Sequence, residues 1–515
     1  MSNKHFKGLH INNNFKEPNS TNLSRRDLIK GTGSAFLVSG LSACSNPEQA
    51  SINKSLTNPL YYSSVGALST AIQSGDLTSE EIVTTFLDRI NEVNPSLNAV
   101  VQLDAEAAVN KARAADAASL RGESWGALHG IPMTIKDSFD TTGLISTGGT
   151  LGRATFIPQQ DATVVKRLRD AGAILLGKTN TPELTLNFET NNLIYGQTNN
   201  PYNLDRTPGG SSGGAAAIIA AGGSPFDIGS DYGGSIRLPA HFCGIAGIKP
   251  SAGRVPRTGH IFPFGGIQDS YQQIGPLARY VDDLILLLPL IMGPDFIDPG
   301  VVSQPYSDPN SIDLNSLRVS FHTDNGVQTP DPEIIQTVET VSRLLESEVM
   351  LVEEKKPIGI ERVMDIGFGL PNWDGGEGVR RILEVSGTTE HTLQFFTEAT
   401  ALTTEQLDQL LVQWFDWRSE MLSFMNDYDV IISPVNAHPA VLHGATNITE
   451  SLAAFSYTMT YNSTGWPGAV VRAGTSSEGL PIGVQIITRP GREDIALAVA
   501  KFIETGLGGY QEPVL

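Results

Sequence analysis

The sequence predicts one large α/β domain whose sheet is covered by helices on both faces. Three observations lead there. From about Gly130, short apolar runs alternate with helical stretches, the pattern of strands joined through helices. Hydrophobic residues make up 40% of the 515 and charged residues only 17%, which suits a large buried core and excludes a disordered acidic chain. After Thr57 no internal repeat or linker interrupts the chain, although at about 100–200 residues per domain its length allows several.

The elements follow in order. Thr78-Ser79-Glu80-Glu81 is a capping box, and Ile82, Val83, Phe86, Leu87 and Ile90 then recur at helical spacing. Ala105–Leu120 is Ala-rich and helical by propensity. Ile131–Ile135 reads as a strand, Ala162–Ala171 as a helix and Ile174–Leu176 as a second strand. Residues 300–425 are poorer in glycine and more helical, with Leu407–Trp417 as the clearest helix. Val430–Ile432 and Ile482–Ile487 read as late strands, and Asp494–Ile503 as a terminal helix. The 52 Gly and 30 Pro fit a chain with many connections.

Charge and composition narrow the function. With 35 Lys+Arg against 55 Asp+Glu the formal net charge is −20, which argues against nucleic acid as a partner. Beyond the N-terminal segment, the longest apolar run, Leu284–Met292, is short of the roughly 20 residues a membrane span needs and contains Pro289. Two cysteines cannot build a disulfide framework, and the nine histidines show no metal-ligand spacing.

The first 43 residues read as an address. Arg25-Arg26 precede a moderately apolar stretch, Gly31–Gly40, and a small-residue ending, Leu41-Ser42-Ala43-Cys44. The paired arginines resemble a twin-arginine export signal, and the ending resembles a bacterial lipobox whose cysteine, Cys44, carries the lipid. That resemblance implies an exported protein of the cell envelope or periplasm, touching the membrane only through a lipid at Cys44. Residues 44–57 would be its tether and 58–515 the folded domain. The segment removed carries six basic and two acidic residues, so the mature chain would carry −24.

Two motifs match formally and fail physically. Gly172–Thr179 has the spacing of a phosphate-binding loop, but its middle residues, Ala-Ile-Leu-Leu, are a buried strand rather than bared backbone. Gly209-Gly210-Ser211-Ser212-Gly213 matches a nucleophile elbow, with His438 or His443 as the partner, but residues 199–208 are loop where an elbow needs a strand. Cys243 with His241 reads as strand neighbours, with the cysteine a small buried hydrophobe. Trp373, Trp414, Trp417 and Trp466 read mainly as core.

The informative residues lie elsewhere. In Gly229-Ser230-Asp231-Tyr232-Gly233-Gly234-Ser235, two adjacent glycines let successive N–H groups turn inward, a concavity suited to an anion or oxyanion. Lys136 ends a buried apolar run, so it is either a snorkelling surface group or a desolvated base. With Lys136-Asp137 and Gly209–Gly214, this segment resembles the amidase signature family. The order and separations fit, with 75 residues from Lys136 to Ser211 and 24 from Ser211 to Ser235. Gly244–Pro250, Gly253–Val255, Ile431–Pro434, Gly465–Pro467 and Gly479–Gln485 continue the likeness. It runs from about Thr57 to the C-terminus and is weakest between about 290 and 425, the expected variable substrate-pocket region.

The resemblance implies an α/β/α layered domain around a mixed, twisted central sheet. It implies amide hydrolysis to acid plus ammonia or amine through an acyl-serine, with no metal and no organic cofactor. Ser235 would be the nucleophile, Ser211 (with a cis peptide bond) the relay and Lys136 the base. The N–H groups of Tyr232, Gly233, Gly234 and Ser235 would form the oxyanion hole. Ser212, Asp231 and Arg237 would support the loops. Tyr232 stands where the family commonly has Thr or a small apolar residue, so its ring is expected at the acyl pocket. The partner would be a small-molecule or peptide amide. Two other readings stay open: a glutamine-hydrolysing amidotransferase-like protein, and a catalytically silent amide-binding lipoprotein, against which the intact Lys136, Ser211 and Ser235 weigh.

Overall fold

The computed structural model describes residues 59–515, apart from Gln268 and Ile448. The expected signal at 1–43, Cys44 and the tether at 44–57 lie outside the described residues.

The opening helices form as the sequence dictates. Thr78 accepts from the Glu81 N–H at 3.1 Å and its own N–H donates to the Glu81 carboxylate at 2.8 Å, which starts the helix Ser79–Leu97. Ile82, Val83, Phe86, Leu87 and Ile90 are its buried face. Ala105–Leu120 buries Ala108, Ala112, Ala115 and Ala118, small enough for close helix packing.

Three strands follow: β1 (Val100–Leu103), β2 (Pro132–Lys136) and β3 (Ile174–Thr179). They form a small sheet in the order β1-β3-β2. β4 (Asn191–Asn192) and β5 (Gly196–Gln197) make a short ribbon. The main sheet takes β6 (Phe226–Asp231), β7 (Ala246–Lys249), β8 (Gln273–Ala278), β9 (Arg318–Phe321), β10 (Leu351–Glu354), β11 (Val430–Pro434), β12 (Gly468–Thr475) and β13 (Pro481–Thr488). Its order is β10-β9-β11-β13-β12-β7-β8-β6. β9 runs parallel to β10 and β11, and the other pairs are antiparallel, so the sheet is mixed.

Both faces are covered. On β12, Ala469 and Val471 join the core with the helices Val281–Ile291, Pro332–Leu345 and Glu493–Leu507. Val470 between them joins Ile236 and Ala240 on the other side. Ile431 likewise faces away from Val430 and Ile432. This two-sided burial explains why these strands read as continuous apolar runs. The buried helix Val281–Ile291 holds the Leu284–Leu288 run, and no described helix is long and apolar enough to cross a membrane.

Two sequence readings change. Gly229 and Ser230, grouped in the sequence with the glycine-rich anion-binding segment, are the end of β6. The glycine there serves close approach, since a Cβ would lie 2.7 Å from Ser212 Oγ. His241 lies in the last turn of the helix Arg237–Phe242 and Cys243 caps it, so they are not strand neighbours. Gly172–Thr179 is, as its apolar middle requires, turn and strand. Lys178 Nζ is held by the Phe139 carbonyl, Thr141 and Ser146.

A side chain stitches the two sheets together. The buried Asp227 carboxylate on β6 accepts from the Lys136 N–H on β2 (3.0 Å), Thr134 Oγ1 (2.7 Å) and Thr179 Oγ1 (3.0 Å). Replacing Asp227 by Ala leaves these donors unpaired and should cost about 3 kcal/mol or more, read as a lower urea midpoint. An unchanged midpoint would show that packing alone joins the sheets.

Candidate active site

Lys136 is the last residue of β2 and fully buried. Its Nζ lies 2.7 Å from Ser211 Oγ, 3.0 Å from Ser212 Oγ and 3.0 Å from Ser230 Oγ. Among the described residues no carboxylate touches it. Burial without an ion partner pushes the amine down to about 7, against the pull of the nearby Asp227 and Asp231 charges. A neutral amine has two N–H groups and one lone pair, so one of the three hydroxyls must donate to it.

Ser211 follows a cis Gly210–Ser211 peptide and Ser212 caps the helix Gly213–Ala220. The Ser212 N–H donates to the Ser235 carbonyl at 3.1 Å, which brings the serine loops together. Ser235 is nearly buried but lines an apolar-walled cavity. The Ser211 and Ser235 hydroxyls make no direct hydrogen bond among the described residues. Such contacts often tighten only when substrate binds.

The loop carrying Ser235 is wrapped around Asp231. Its carboxylate accepts from the N–H groups of Gly234 (2.8 Å) and Ile236 (3.1 Å), from Arg237 Nε and Nη2 (both 3.1 Å), and from Asn462 Nδ2 (2.8 Å). These partners hold the carboxyl down at about 2 despite complete burial. Gly234 has φ 131°, and a Cβ there would sit 2.4 Å from Thr458 Oγ1, so only glycine fits.

This corrects the expected oxyanion hole. The Gly234 N–H is turned to Asp231 and is not free for substrate. The N–H groups of Gly233 and Ser235 have no acceptor among the described residues. Tyr232 packs its ring against Phe262 and Tyr271, each centroid 5.7 Å away, and lines the cavity as its position suggested.

Sequence reasoning missed Ser230 and Asp227, because the strand that carries them was not recognised in this glycine-rich stretch. It also missed His260, whose Nε2 lies 3.0 Å from Ser230 Oγ, and Asn462. Their contacts span 30 and 231 residues and leave no local signal. His438 bonds Asp331 and His443 bonds Glu189, so neither partners Ser211 as an elbow requires. Trp414, Trp417 and Trp466 are core. Among the described residues no three His, Cys, Asp or Glu gather into a metal site.

The cavity beside Ser235 measures about 450 Å³. Leu186, Phe188, Phe368, Leu393, Phe396 and Met459 give it apolar walls. Among the described residues its one charged wall residue is Glu189, already bonded to the Gly444 N–H, Thr446 Oγ1 and His443.

A family model for amidases matches residues 81–497. The chain belongs to the amidase family. A fatty-acid amide hydrolase 2-B of Danio rerio is 34% identical over 493 residues, covering 89% of this chain and 92% of the relative. A glutamyl-tRNA(Gln) amidotransferase component of Moorella thermoacetica is 33% identical, covering 86% and 96%. A 6-aminohexanoate cyclic dimer hydrolase complexed with substrate superposes with a TM-score of 0.79 at 26% identity, covering 88% of this chain and 99% of its own. This amidase is an amide-hydrolysing enzyme of the α/β/α class expected from its sequence.

In this amidase Arg237→Met strips a fully buried carboxylate of its counter-ion and should cost about 3–5 kcal/mol by urea unfolding. The Asp231 contribution is fully present above the ordinary carboxyl value, about 3.9, and disappears as pH falls through about 2. The stability gap between wild type and Asp231→Asn should therefore narrow between about pH 4 and about pH 2. A gap that stays constant across that range would contradict the assignment.

Proposed function

We propose that this amidase cleaves amides of neutral, largely apolar carboxylic acids through an acyl-enzyme on Ser235. The observation that carries this is Lys136: a buried amine whose partners among the described residues are hydroxyls, 2.7 Å from Ser211, beside a serine that opens on an apolar cavity. Neutral Lys136 takes the Ser211 proton while Ser211 takes that of Ser235, and Ser235 Oγ attacks the amide carbon. The N–H groups of Gly233 and Ser235 receive the oxyanion, with that of Tyr232 adjoining. The proton returns through Ser211 to the leaving nitrogen, the C–N bond breaks and amine departs. Water then attacks the ester by the same relay and releases the acid.

The glutamine-hydrolysing reading has the amidotransferase relative in its favour. The cavity weighs against it: among the described residues no Lys or Arg lines it to hold the α-carboxylate of glutamine. The relay acts with Lys136 unprotonated, so kcat/KM should rise with pH through about 7 and then level off. A fluorophosphonate probe should label wild type and not Ser235→Ala. Lys136→Ala should lose about 10²–10⁴-fold in acylation, and aryl or alkyl amides should be cut far faster than glutamine. Labelling of Ser235→Ala at the wild-type rate would overturn the nucleophile, and preference for glutamine would overturn the substrate class.

We also propose that residues 1–43 direct export and that Cys44 becomes a lipidated N-terminus, on the strength of Arg25-Arg26, the apolar stretch and Leu41–Cys44. Intact-mass measurement of the protein from its native host should show a diacylated or triacylated Cys44. An unlipidated N-terminus elsewhere would refute this.

A further inference from the structure

We propose that His260 is a positioning residue that holds the Ser230 hydroxyl against Lys136 and so keeps that amine in its unprotonated form. The proposal rests on the reading of Lys136 as base.

His260 lies in the loop after β7, paired across an isolated bridge with Phe139, three residues past Lys136. Its ring stands edge-on to Phe139 at 5.0 Å and is nearly buried. Nδ1 meets the backbone N–H of Phe262 at 3.1 Å and Gln272 Nε2 at 2.7 Å. The Phe262 carbonyl is also 3.2 Å away, but a backbone N–H cannot be flipped, so Nδ1 is assigned as the acceptor. The ring proton is then on Nε2 and donates to Ser230 Oγ at 3.0 Å. The same Oγ lies 3.0 Å from Lys136 Nζ.

This geometry discriminates between the two states of the lysine. An ammonium needs Ser230 to accept, whereas an amine can take the Ser230 O–H into its lone pair. A hydroxyl that already accepts a hydrogen bond becomes a better donor and a poorer acceptor. His260 therefore favours the amine. Asp227 and Asp231, both on β6, pull the other way. His260 itself stays neutral, because Nδ1 cannot take a proton while the Phe262 N–H faces it. Burial and the positive charges of Arg257 and Arg153 act in the same direction. The device is a fixed dipole and not a second titrating group.

The test is the pH dependence of kcat/KM on an aryl amide for wild type, His260→Leu and His260→Gln. In His260→Leu the acid limb should move up by about one pH unit, while the high-pH plateau is kept within about threefold. A glutamine amide can present an N–H to Ser230, so His260→Gln should keep the wild-type limb. If His260→Leu does not fold, His260→Phe, which keeps a ring against Phe139 and offers Ser230 no N–H, should show the same upward displacement. A loss of rate at every pH with the limb unmoved, or equal displacement in His260→Leu and His260→Gln, would overturn the proposal. Lys136→Ala separates the two claims. Full activity in that variant would overturn the base reading itself. An inactive Lys136→Ala together with an unmoved limb in His260→Leu would overturn only the role of His260.

Discussion

The Asp231 carboxylate is the contact on which the site depends. It sits at the end of β6 with no solvent access and gathers donors from its own loop, from Arg237 and from Asn462. A buried carboxylate is tolerated only when its lone pairs are filled. Here the filling folds the Gly-Gly-Ser loop. Asn462 also donates to the Asp231 and Tyr271 carbonyls, and Arg237 Nη1 donates to Gln485 on β13. Gln485 in turn bonds the Ser433 hydroxyl and the Pro434 carbonyl of β11. One charge thereby ties the loop of Ser235 to strands far apart in sequence.

Lys136 is treated in the opposite way. Asp231 is buried with its counter-ion, while Lys136 is buried with hydroxyls alone. The first arrangement keeps a charge and the second discourages one. Both groups lie on strand ends beside each other, so the contrast is set by their partners and not by depth. Ser212 and Ser230 belong to this contrast as much as Ser211 does, because they decide how the amine spends its two N–H groups.

The apolar cavity draws its walls from several parts of the chain. Its outer wall, including Phe368, Leu393 and Phe396, comes from the region between 290 and 425. That wall is fastened by a buried carboxylate, Glu183, which accepts from Thr150 Oγ1 and from the Thr392 N–H and hydroxyl. Beside it Leu184 and Thr185 hold positive φ of 48° and 64°. Non-glycine residues take that conformation at a cost, and such positions cluster where a binding wall is fixed. This part of the cavity wall thus comes from a different stretch of the chain than Lys136, Ser211 and Ser235.

Much was legible in the sequence because it depends on local order. The capping box at Thr78, the alanine face of Ala105–Leu120 and the apolar strands follow from spacing alone. Lys136, Ser211 and Ser235 were marked by their motifs, as was the need for glycine at 234. The glycine-rich β6 was not legible, since its strand character comes from pairing with β8 and from close contact with Ser212. Nor could the sequence say that the Gly234 N–H belongs to Asp231, or that Asp227, Ser230 and His260 surround Lys136. A hydroxyl, carboxylate or N–H acquires its role from the donors and acceptors around it. Around Lys136 and Asp231 many of those lie tens to hundreds of residues away, so the sequence determined which groups were present and the tertiary structure decided which of them were left free to react.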